Sequence, residues 1–139
     1  LIAQGFARYG CKEGALKILE ALFDASRCMD LNRLPELYCG FRRRRGEGPT
    51  LYPVACNPQA WASGSVFLVL QACLGLRIEA AGARIFFDNP QLPESISEMK
   101  IRDLKVASAT VDLSLVRHDS DVAISITRRL GKAEVIVSH

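Results

Sequence analysis

The apolar residues of this chain change period once, near Leu76, and that change confines it to an α+β architecture. Before it, Ala15, Leu16, Ile18, Leu19, Leu22 and Phe23 recur close to every 3.6 residues, which predicts a helix over residues 12–28. A shorter helix precedes it and is broken by Gly10. Glu13 and Lys17 stand four apart on its wet side, a favourable spacing for an ion pair. A third helix is expected to start at Asn57-Pro58, with Asn57 as N-cap and Pro58 in the first turn, and to end at Gly75. Trp61, Phe67, Leu68, Leu70 and Leu74 make it apolar nearly all round, so burial on most sides is expected.

After Leu76 the alternation is two. Arg77–Glu79 and Arg84–Asp88 flank Ala-Ala-Gly-Ala, a hairpin signal, and Asn89-Pro90-Gln91-Leu92-Pro93 follows as a stiff linker. Strands are then predicted over 99–106, 110–117, 122–128 and 133–138, with turns at 118–121 and 130–132. Short strands joined by short turns point to an antiparallel meander or small sandwich. Helices first and strands last give α+β, divided here into residues 1–75 and 76–139.

Between the helices, residues 30–56 lose all periodicity. This segment holds Pro35, Gly40, Gly46, Gly48, Pro49 and Pro53 together with Tyr38, Phe41 and Tyr52. Long loops without periodicity are functional or disordered, and the aromatics favour the functional reading.

Composition removes several classes. With 49% apolar residues in 139, the chain has enough to build a core. A net charge of +3 calls for no nucleic-acid partner, and Arg42–Arg43–Arg44–Arg45, in no helical or strand setting, reads as an exposed loop. The five cysteines lack metal-ligand spacing, and the two histidines lie far from them, so neither a metal nor a cofactor is expected. They read as small, buried, reduced thiols, which with no secretory signal places the protein in the cytoplasm. The longest apolar run contains Gln71 and is too short to span a bilayer. Leu1 to Tyr9 reads as mid-helix with nothing to cap it, so a piece of a longer protein is expected.

Two stretches carry a resemblance. Arg33-Leu34-Pro35-Glu36-Leu37-Tyr38-Cys39-Gly40-Phe41 and Tyr52-Pro53-Val54-Ala55-Cys56-Asn57-Pro58-Gln59-Ala60-Trp61-Ala62 resemble, in order and spacing, the bacterial debranching-enzyme-related proteins of the amylo-α-1,6-glucosidase family. Ala7-Arg8-Tyr9-Gly10 and Asn89-Pro90-Gln91-Leu92-Pro93 extend the likeness over nearly the whole chain. The resemblance implies a glucoamylase-like (α/α)6 barrel, a six-hairpin glycosidase, of which this chain would hold the last helices. It implies an inverting hydrolysis of α-1,6 branch stubs in glycogen-type glucans, with Glu36 as general base and the general acid far upstream.

The residue types suit that chemistry. Inversion needs one carboxylate to activate water and a second carboxyl about 6.5–9.5 Å away to protonate the leaving oxygen. Tyr38 and Trp61 offer flat faces to a sugar ring, and Gln59 can hydrogen-bond its hydroxyls. Without the motif, Glu36 is a solvated loop residue, Trp61 a core residue and Gln59 a cap of its own helix. The expected partners are an α-glucan oligosaccharide and either the remaining barrel helices or a second copy. The other reading is a stand-alone α+β glucan-binding or interaction module without catalysis.

Overall fold

The computed structural model describes residues 1–119 and 121–139. Three helices come first: α1 (Ile2–Arg8), α2 (Lys12–Ser26) and α3 (Ala60–Leu74). Six strands follow: β1 (Arg77–Glu79), β2 (Arg84–Asp88), β3 (Glu98–Val106), β4 (Ala109–Arg117), β5 (Val122–Leu130) and β6 (Glu134–Ser138). Among the described residues no helix is long and apolar enough to cross a membrane.

The helices pack on one another around Ala3, Ala15, Val69, Ala72 and Cys73. Small residues at these points let the three axes approach closely. Gly10, at φ +80, ends α1 and turns the chain into α2. α2 stops at Ser26, two residues before its predicted end. Gly75 caps α3 in the left-handed conformation (φ 58, ψ 27), with Leu76 N–H donating to Gln71 O at 3.0 Å.

The start of α3 differs from expectation. Its N-cap is Gln59, whose backbone is extended and whose side-chain oxygen accepts from Ala60 N at 2.9 Å. Asn57 and Pro58, joined by a cis peptide, therefore lie outside the helix. The expected burial on most sides is also wrong. Trp61 is 58% exposed and Phe67 71%, because α1, α2 and the sheets cover only the face bearing Ala62, Val69, Ala72, Cys73 and Leu74.

The strands form two three-stranded sheets. β3, β4 and β5 make the expected antiparallel meander. The turn expected at 118–121 includes Ser120, which lies outside the described residues; around it, His118 N donates to Asp121 O at 2.8 Å. β6 corrects the prediction. It leaves the meander and pairs in parallel with β2, Arg84 opposite Glu134 and Asp88 opposite Ser138, so the β-region is not one antiparallel unit. Gly131, at φ +82, allows the tight turn after β5, and a Cβ there would press on Ala109. The step buries Ala133 and half-buries Val135 against the core of Ile85, Phe87, Val111, Leu113 and Leu115. Burial of that apolar surface outweighs simple continuation of the meander.

A bulge in β3 between Ile101 and Leu104 is locked from β4 and β5. Asp112 accepts from Asp103 N at 2.7 Å, and Arg128 reaches Asp103 at 3.0 Å and Asp112 at 3.4 Å. The backbone N–H of Asp103 and then the Arg128 guanidinium hold the Asp112 carboxyl below the usual carboxylate range.

Helical and β layers meet at Lys12. Its buried ammonium donates to Ala72 O (3.1 Å), Cys73 O (3.3 Å) and Asp88 O (2.8 Å), satisfying carbonyls at the end of α3 and of β2 together. Beside it Gly75 touches the same backbone. Gly75→Ala is expected to destabilise far more than Gly10→Ala in urea unfolding. Both residues have positive φ, worth about 1–2 kcal/mol against a side chain. Only at Gly75 would the added Cβ overlap Asp88, while Gly10 faces open space.

Cys73, fully buried, has its thiol pushed up to about 11 from the ordinary 9.0, chiefly by burial. Unfolded chains ionise this thiol near 9 and the folded chain only near 11, so above pH 9 the unfolded state holds fewer protons. The sign is therefore a loss of stability as pH rises from 9 to about 11. Burial lowers the Lys12 pKa and acts oppositely in the alkaline range. Cys73→Ala is expected to remove the thiol's share. Its unfolding midpoint should fall less than that of the parent chain between pH 9 and 11; parallel curves would contradict this.

Candidate functional site

The loop between α2 and α3 starts with a short 3₁₀ turn, Asp30–Asn32, and is anchored by the buried side chains of Met29, Leu34 and Pro35. Pro35 fixes the approach to Glu36, and Glu36 is tied twice to one residue further along. Its N–H donates to Cys56 O at 2.9 Å, and its Oε2 accepts from Cys56 N at 3.1 Å. Cys56 thus has both backbone groups occupied by Glu36. The carboxylate is half-exposed and oriented through one oxygen, which leaves Oε1 for other partners.

Tyr38 forms an antiparallel bridge with Leu51, which closes the loop upon itself. Its hydroxyl is buried and has no hydrogen-bond partner among the described residues. Burial raises its pKa, and the neighbouring Cys28 adds to that. An unpaired buried hydroxyl costs about 1–3 kcal/mol, the hydrogen bond it leaves unmade.

Gln59 spends its side-chain oxygen on the N-terminus of α3, so the capping role is the one it fills in this structure. Trp61 stands in the first turn of α3, exposed, and does not fill the core. Glu36 and the Cys56–Trp61 stretch are therefore joined through the backbone of Cys56. No hydrogen bond links Tyr38, Gln59 and Trp61 to one another among the described residues, and the principal hollows of the structure are lined by other residues.

A large hollow lies elsewhere. An open trough of about 880 Å³ runs between α2, α3 and residues 93–99, floored by Phe23, Val66, Leu70, Ile96 and Met99. A second hollow of about 420 Å³ adjoins it, shared through Phe23 and Val66 and reaching Leu34 and Phe67. Sequence reasoning missed this surface because Phe23 and Phe67 were assigned to the core by period alone. Four of the five free thiols also depart from expectation. Cys11, Cys28 and Cys56 are exposed and Cys39 is half-buried, because they sit at helix ends and in the loop; Cys73 alone is buried. No cluster of three metal-ligating side chains occurs among the described residues.

In comparisons with protein-family models, curated proteins and solved structures, nothing matches this chain.

The exposed indole gives a direct check. Trp61 is the sole tryptophan, so its emission should be that of a wet indole and be strongly quenched by acrylamide. A blue-shifted, protected emission would mean that this end of α3 is covered in solution.

Proposed function

We propose that the chain is part of a cytoplasmic, glycogen-debranching-type α-1,6-glucosidase, in which it supplies the general-base loop for inverting hydrolysis of glucan branch stubs. The observation that carries this reading is the pair of hydrogen bonds between Glu36 and Cys56. It draws the Leu-Pro-Glu-Leu element and the Gln-Ala-Trp element, which carry the resemblance, into one backbone-locked unit. A general base must be held in place while keeping a lone pair for water, and one bonded and one available oxygen meet that need.

In this reading Glu36 takes a proton from the attacking water, and Tyr38 offers the flat face of its ring to the sugar. Trp61 lends a flat apolar wall, and Gln59 holds the N-terminus of α3 that carries Trp61. The general acid sits on another segment of the enzyme. The exposed apolar side of α2 and α3, with Phe23, Val66 and Phe67, is where the other barrel helices pack. No cofactor or metal takes part.

One observation favours a second reading, a non-catalytic glucan-binding module. Trp61 is open to solvent rather than walled into a cleft, as suits a ring that stacks on a sugar without enclosing it.

The two part on a single substitution in the enzyme carrying this segment. Glu36→Gln should lower kcat on a branched dextrin by about 10²–10⁴-fold with little change in binding, since an amide keeps the shape but cannot accept the proton. Proton NMR of the first-formed sugar should show inverted configuration. A wild-type rate would remove Glu36 from catalysis, and retention would remove the inverting mechanism. Glucan binding that depends on Trp61, with no hydrolysis by the wild type, would establish the binding module.

A further inference from the structure

The arginine run has a setting that its sequence did not display. Residues 38–51 form a two-limbed arm. At its base Tyr38 bridges Leu51, and Cys39 N donates to Thr50 O at 2.9 Å. At its tip Glu47 N donates to Arg44 O at 3.2 Å, and Gly46, at φ +81, lets the chain reverse. Arg42, Arg43, Arg44 and Arg45 occupy the outgoing limb and the turn, all of them exposed.

Charge on this arm is poorly balanced. Glu47 is its only carboxylate. It meets Arg44 at 3.9 Å with both side chains largely in solvent, a geometry of little worth. Arg43 Nε donates to the Glu47 carbonyl at 3.4 Å. Arg42 and Arg45 have no partner among the described residues. Consecutive guanidiniums repel one another, so an external polyanion would relieve the arm as it bound. Guanidinium forks match phosphate oxygens two at a time. Next to them Phe41 is 74% exposed, an aromatic face that the core does not use.

We propose that this arm docks single-stranded nucleic acid, its arginines on the phosphates and Phe41 stacked on a base. Backbone charge contacts beside an open aromatic ring are the pairing by which proteins hold single strands without reading their sequence. An acidic peptide would satisfy the guanidiniums but not the ring. A duplex would keep its bases stacked away from Phe41. The inference is independent of the glucosidase reading, because neither Glu36 nor Trp61 takes part.

The test is fluorescence anisotropy of a labelled oligouridine or oligothymidine with the full chain across a salt series. Each phosphate contact on a single strand contributes a slope of about 0.7 in log affinity against log salt. The double variant Arg42→Ser, Arg45→Ser should therefore flatten the slope by about 1.4. Arg42→Lys, Arg45→Lys keeps the charge and should keep the slope. Phe41→Ala should weaken binding about 5- to 150-fold with the slope unchanged, the loss of one stacked base. No binding at low salt, or an unchanged slope in the serine variant, would overturn the proposal. Equal competition by polyglutamate would make the arm an acidic-peptide dock instead, and equal binding of a duplex would remove the stacking role.

Discussion

One ammonium group joins the two halves of this molecule. Lys12 opens α2, yet its three donors end on carbonyls of α3 and β2, so one side chain ties two element ends together. A cation at the C-terminus of α3 also faces the negative end of that helix's dipole. The contact is local but its reach is wide. It links the start of α2 to the ends of α3 and β2, and Gly75 must remain without a side chain to let Asp88 approach.

From that junction α3 serves two cores. Ala72 and Cys73 face α1 and α2, while Leu74 packs with Ile85 and Phe87 in the β core. Its opposite side, from Trp61 to Phe67, is uncovered. The loop that carries Glu36 and the apolar trough therefore lie on elements anchored at one end by a tight joint and open at the other.

Much of this was legible in the sequence, and the failures share a cause. β1 and β2 match their predicted bounds, and Gly75 ends α3 as expected, because period and glycine caps are local signals. The N-cap of α3 was misassigned because Asn57-Pro58 has the right composition, whereas Gln59 has the extended backbone and the bond to Ala60. Parallel pairing of β6 with β2 leaves no mark in the alternation, which reads the same for either direction. The exposure of Phe67 and Phe23 was invisible because period says which residues share a face, not whether anything covers it. Of the site residues, only the pairing of Glu36 with Cys56 adds placement to a motif, and no spacing rule connects those two.

The parallel closure bears on the order in which the chain acquires structure. β2 gains one neighbour at once, from the adjacent β1, but its other side is filled by a strand that follows the whole meander. Until β6 arrives, Ile85 and Phe87 sit in a ribbon with one bare edge. The meander, by contrast, is built from sequential hairpins. Contacts so distant along the chain form late and slow the overall rate. During synthesis the helical layer and the meander can therefore take shape first. The β1-β2-β6 sheet is closed only by the last strand of the chain, whereas the Lys12 seam uses residues that all precede the meander.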